Sequence, residues 1–202
     1  MTVVPGPEHI EVLEKRTAYK GYFQIDSYTI RHGRFDGTWQ PPFNREVFER
    51  GHAAAVLLYE PERSVFLLCE QFRIGAYAGG MAPWQIELVA GIMEPGETPE
   101  DVATREAVEE AGSEVLDLLP IAHYLVSPGG ATETIRLFLG RIKNAQSGIF
   151  GLEGESEHIK VHVVPEDELR RMLDDQKIQN AQTIIAAQWF FLNRERILAK
   201  WK

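Results

Sequence analysis

Between Gly91 and Gly112 the chain reads GIMEPGETPEDVATREAVEEAG, a short span that holds seven carboxylates. Its second half carries the marks of a helix. Thr98 suits an N-cap, Pro99 the first helical position, Glu100 and Asp101 the positive end of the helix dipole, and Gly112 the stop. On such a helix Glu106 and Glu110 stand one turn apart with Glu109 beside them, and like charges at that spacing cost an isolated helix about 0.2 to 0.5 kcal/mol per pair. Hard divalent cations, Mg²⁺ or Mn²⁺, relieve that repulsion, because they take oxygen ligands of this kind. Ions held in this way can neutralise an anionic substrate and activate water, so metal-assisted attack of water is a chemistry such a cluster could serve. A solvated acidic helix face is the alternative.

The surrounding elements have to hold those carboxylates in place. Ala103, Ala107 and Ala111 recur at helical spacing with Val108 nearby, so a face of small residues can press against a sheet, and the glutamates are expected to face away from it. Before about residue 50, IEVLEKRTAY and YFQIDSYTIRH read as strands, with an Asp36-Gly37 turn signal after them. HAAAVLLYE and SVFLLCEQFR read as a buried hairpin, GAYAGGMAP as a loop, and WQIELVAG as one strand leading into the acidic stretch. VLDLLPIAHYLVS and ETIRLFLGRI read as strands around the loop PGGAT, and HIKVHVV as an alternating strand. PEDELRRMLDD opens on a helix-starting proline, and NAQTIIAAQWFFLNRERILAKW forms a final apolar helix in which Trp189, Phe190 and Phe191 pack against the sheet. The expected fold class is α+β: a mixed sheet with segregated helices, residues 51–202, preceded by a β-rich portion, residues 1–50.

Composition bounds the function. The chain has 202 residues, 44% of them hydrophobic, enough for a core without staples. Its single cysteine, Cys69, sits in an apolar run, which excludes an internal disulfide and points to a reducing compartment. The N-terminal stretch lacks a basic start followed by an apolar run, and no stretch reaches the length of a membrane span, so the expectation is a soluble cytoplasmic protein. The formal net charge of −9 argues against nucleic acid or an anionic membrane as partner.

Gly91, Glu97, Arg105, Glu106, Glu109, Glu110 and Gly112 occupy every charged and glycine position of the pattern G-x5-E-x7-R-E-U-x-E-E-x-G-U. The chain thereby resembles the Nudix hydrolases; Ala107 and Ser113 depart from the pattern at two apolar positions. Beyond this box, REVFERGHAAAVLLY, EQFRIGAY, LVAGIMEPGE, SPGGATE, GLEGESEHIKVHVV and NAQTIIAAQWF are similar to the ADP-ribose pyrophosphatase family, and Pro128 lies 16 positions after Gly112 (128 − 112), as is typical there. The resemblance implies the Nudix fold, a homodimer that exchanges its N-terminal β portions, and hydrolysis of ADP-ribose to AMP and ribose 5-phosphate with two or three Mg²⁺ ions, Mn²⁺ being possible. It implies metal ligation by Glu106 and Glu110, then Glu109, Glu157 and the Ala90 carbonyl, with Arg105 orienting a carboxylate such as Glu97.

For the general base the resemblance favours Glu155 in the glycine-flanked loop GLEGESEHIK, with Glu153 and Glu157 as competitors. Arg73 and Arg45 are candidates to contact substrate, against a plain ion pair for each. Tyr22 stands where an aromatic stacks on adenine, against packing in a core or interface. The SPGGATE loop offers Gly130 for close backbone approach and Glu133 for a ribose hydroxyl, against a simple hairpin connection. His123, His158 and His162 lack metal-ligand spacing and read as structural. Two other readings stay open: hydrolysis of another nucleotide sugar such as GDP-mannose or of a dinucleotide, and a sensor that binds ADP-ribose without cleaving it.

Overall fold

The computed structural model describes residues 5–152, 154 and 156–201. The chain divides into two units. The first comprises the chain up to His52 together with Leu125–Thr134, and the second Ala53–Tyr124 together with the chain from Ile135 onward.

In the first unit, β1 (Ile10–Lys20), β2 (Gln24–His32) and β3 (Phe43–Glu49) form an antiparallel sheet in that order. Pairing of Thr17 with Asp26 and of Tyr28 with Arg45 sets the register. The expected turn is present after β2, where Asp36 Oδ1 accepts from the Thr38 N–H at 3.0 Å and Gly37 takes a left-handed φ of 77°. The Leu125–Thr134 segment joins the far edge: the Phe48 N–H donates to the Gly130 carbonyl at 2.8 Å, and the Thr132 N–H to the Phe48 carbonyl at 3.2 Å. Asp26 is fully buried, ion-paired with Lys15 at 3.0 Å and hydrogen-bonded by Thr17 and Gln24.

The second unit is built on β4 (Ala53–Glu60), every residue of which is buried. It runs antiparallel to β5 (Val65–Phe72) and parallel to β9 (Thr134–Arg141). With β8 (Asp117–Leu125), β10 (Gly148–Phe150) and β11 (Ile159–Pro165) the sheet order is β10-β11-β5-β4-β9-β8, a mixed sheet as the sequence predicts. The β4–β5 ladder ends at the Leu58–Leu67 pair. Beyond that point β6 (Trp84–Glu87) pairs with β5 and β7 (Val89–Ile92) with β4, so the stretch expected as one strand breaks at Leu88 and fills the fork between two diverging strands.

Alternation along β4 feeds two cores. Ala53, Ala55, Leu57 and Tyr59 join Phe66, Leu68 and, from α4 (Ala181–Lys200), Ala186, Ala187, Phe190 and Ile197. Ala54, Val56 and Leu58 join Leu67, Cys69 and, from α2 (Pro99–Ala111), Val102, Ala103, Ala107 and Ala111. Each fully buried Leu or Phe contributes about 1.5–3 kcal/mol, so this double core fixes α2 to the sheet that carries β7. Val108, expected at that contact, is 53% exposed, and Val102 takes its place. The loop at 75–83 contains a short helix, α1 (Ile74–Ala78), and Pro165 closes β11 as the N-cap of α3 (Glu166–Asp174) instead of opening the helix. No helix among the described residues is long and apolar enough to cross a membrane.

Candidate active site

Local chemistry sets where α2 begins and ends. Thr98 Oγ1 accepts from the Asp101 N–H at 3.2 Å, and Asp101 Oδ2 accepts from the Thr98 N–H at 3.0 Å, a reciprocal capping box. Gly112 ends the helix in the left-handed region at φ 57°, where a Cβ would also strike the Phe150 ring, so glycine is required there twice over. Between these ends one guanidinium gathers three carboxylates. Arg105 donates to Glu97 Oε1 at 2.9 Å and Oε2 at 3.2 Å, to Glu106 Oε1 at 2.8 Å and to Glu109 Oε2 at 3.0 Å. Glu97 also accepts from the Glu94 N–H at 2.9 Å, which folds the approach loop onto the helix. These bonds raise the Arg105 pKa further above its ordinary value, led by the Glu97 contact.

The glutamates do not all face away from the sheet. Glu110 is 2% exposed and its Oε2 accepts from the Ala90 N–H of β7 at 3.1 Å. In an antiparallel ladder a residue's N–H and C=O face the same side, so the Ala90 carbonyl leaves the same edge of β7 as the N–H that Glu110 accepts. At Gly91 a methyl group would overlap the Glu106 carboxylate, so a residue without a Cβ is what lets that carboxylate lie against β7. Burial pushes the Glu110 carboxyl up to about 8, the Ala90 N–H opposing this and the charges of Glu106 and Glu157 adding to it. Burial likewise raises Glu106, despite Arg105. Glu157, after β10, bonds back to Leu152 through its backbone N–H at 3.2 Å.

Among the described residues no three His, Cys, Asp or Glu side chains already converge on one metal position; Arg105 is bonded to Glu106 and Glu109 instead. The donor chemistry nonetheless fits a hard divalent ion. Glu106, Glu110, Glu157 and the Ala90 carbonyl offer oxygen only, and two of these carboxylates carry charge that burial and neighbouring charges oppose. Glu155 and Glu153 lie outside the described residues.

The remaining candidates are distributed as follows. Arg73, at the end of β5, forms an ion pair with the buried Glu87 at 2.8 Å, and Glu87 Oε1 accepts from Asn180 Nδ2 at 3.1 Å. Sequence reasoning missed Glu87 and Asn180. Their signals were a lone carboxylate in the apolar run WQIELVAG and an Asn three places before Thr183, whose N–H the Asn180 side chain caps at 3.1 Å. Tyr22, Arg45, Gly130 and Glu133 all belong to the first unit. Tyr22 is 89% exposed in the β1–β2 turn, edge-on to Phe23. Arg45 lies over the Phe43 ring at 4.6 Å, Gly130 has open space where a Cβ would stand, and Glu133 is buried and paired with Arg50 at 3.4 Å. His162 bonds Glu70 at 2.8 Å, a structural contact.

The model of the NUDIX domain matches residues 49–187. The chain is 41% identical to the ADP-ribose pyrophosphatase of Escherichia coli strain K12 over 202 residues, which span 100% of this chain and 97% of that one. It is 31% identical over 182 residues to the GDP-mannose pyrophosphatase of Klebsiella pneumoniae, covering 90% of this chain and 91% of that one. In architecture it is similar to a crystal structure of an ADP compounds hydrolase, with a TM-score of 0.70, 18% identity, and 96% and 97% of the two chains covered.

Proposed function

The chain belongs to the NUDIX domain family, and from that premise we propose that it hydrolyses the diphosphate of ADP-ribose to AMP and ribose 5-phosphate. The reaction class rests on the α2 carboxylates set against β7. The substrate rests on one observation: identity to an ADP-ribose pyrophosphatase runs the full 202 residues, including those outside the 49–187 match. The likeness to a GDP-mannose pyrophosphatase at 31% supports a second reading with the same chemistry and a different sugar nucleotide.

Glu106, Glu110, Glu157 and the Ala90 carbonyl would hold two or three divalent ions, Mg²⁺ or Mn²⁺, with Glu109 as a further donor. Such ions neutralise diphosphate oxygens and acidify water. Arg105 orients Glu97 through two bonds and gathers Glu106 and Glu109 beside it, and these two would turn from the guanidinium to the ions when the metal binds. Arg73 turns from Glu87 to the phosphoryl oxygens, and Glu155 takes the proton of the attacking water. Tyr22 stacks on adenine, Glu133 accepts from a ribose hydroxyl, Arg45 and Gly130 are further substrate contacts, and the protein works as a cytoplasmic homodimer.

Turnover in ¹⁸O-labelled water tests the direction of attack. The label is expected in AMP, since attack falls on the adenosine-side phosphorus. Label in ribose 5-phosphate would refute that assignment.

A further inference from the structure

Gln71 has a buried donor with nothing to donate to. The residue is 6% exposed, and its Nε2 is buried without a hydrogen-bond partner among the described residues. Interiors rarely leave such a group unmade, and where they do a bound water, ion or ligand is the usual reason. Its neighbour across the ladder makes the contrast: Gln85, paired with Gln71, donates to the Ala82 carbonyl at 2.6 Å and to Gln179 at 3.4 Å.

Strand parity places this orphan. Leu67 and Cys69 of β5 pack in the α2-side core, so Gln71, two residues on, falls on the same face. Burial raises the Cys69 thiol above its ordinary pKa, and the charges of Glu110, Glu87 and Glu157 add to this. Glu87 stands opposite Cys69, and Arg73 binds it, so the Arg73 side chain runs back along the ladder past the Gln71–Gln85 pair. Gln71 is therefore a neutral donor on the ladder between Arg73 and the Cys69–Glu87 pair. A neutral amide can donate to an anionic oxygen, whereas Arg73 is already held by Glu87.

We propose that Gln71 is a substrate-binding residue whose side-chain N–H donates to a non-bridging phosphoryl oxygen when Arg73 leaves Glu87 for the same diphosphate. This rests on the function proposed above. Gln71→Met keeps the shape and removes the amide. Replacing an unmade buried donor by an apolar group is neutral or stabilising, so its metal-free melting temperature should match or exceed that of wild type by up to about 2–4 °C. Its KM for ADP-ribose should rise about tenfold, with kcat held within about threefold, and its Kd for a non-hydrolysable α,β-methylene analogue should weaken by a similar factor. Gln85→Met, which removes made bonds, should melt lower with KM unchanged. An active wild type whose Gln71→Met variant keeps the wild-type KM and analogue Kd would overturn the Gln71 assignment alone. A wild type that neither cleaves ADP-ribose nor binds the analogue would overturn the parent function and this inference together.

Discussion

At Glu110 stability and chemistry pull in opposite directions. The carboxyl is buried, held by one backbone N–H, and pushed up to about 8 chiefly by desolvation. Glu110→Gln keeps an acceptor for the Ala90 N–H and removes the charge. Metal-free, that variant should melt higher by about 2–4 °C for each kcal/mol of relieved desolvation. Its kcat with saturating Mg²⁺ should fall by about 100-fold or more, since the ligand proposed for the catalytic ions is lost. Near-normal turnover would remove Glu110 from the ligand set. The glutamates were legible in the sequence because their spacing is a one-dimensional fact. The burial of Glu110 was not, because it depends on β7 approaching α2 at Gly91. Arg73 stood out through the family resemblance, with an ion pair as the alternative reading, but Glu87 as the partner was not legible, since it lies 14 residues away across a ladder.

Elements were readable where their signals are local. Thr98, Pro99 and Gly112 mark both ends of α2, and the structure places its helix at Pro99–Ala111. Removing the cap should therefore cost what a cap costs. Thr98→Ala is expected to lose about 1 kcal/mol of stability and about 2–4 °C of melting temperature, read by differential scanning calorimetry, with kcat/KM at low temperature kept within about twofold. An unchanged melting temperature would mean that the reciprocal Thr98–Asp101 bonds do not anchor the helix. The break at Leu88 was invisible by contrast. No proline, glycine or turn residue interrupts Trp84–Ala90, and what divides it is the divergence of β4 from β5, which hands the chain from one partner strand to the other. β10 escaped for a related reason: three residues carry no usable periodicity.

In the whole molecule, pattern indicated a mixed sheet with segregated helices, but not that Leu125–Thr134 joins the first unit's sheet far from it in sequence. That unit carries its own acid sensitivity. The Lys15 ammonium, with hydrogen bonds from Thr17 and Gln24, holds the Asp26 carboxyl below its ordinary 3.8. A carboxyl depressed by folding contributes stability above its unfolded pKa and loses it as pH falls through the folded value. The gap in melting temperature between wild type and Asp26→Asn should thus be largest near neutral pH and close below about pH 3.8. A gap that persists unchanged into acid would exclude the ion pair as its source. One comparison tests the proposed substrate most directly: kcat/KM with Mg²⁺ across ADP-ribose, GDP-mannose, other nucleoside diphosphate sugars and dinucleotides, with products identified and a chelator control. ADP-ribose should stand highest, yielding AMP and ribose 5-phosphate and falling to background with the chelator, whereas a clear preference for GDP-mannose would contradict the substrate assignment.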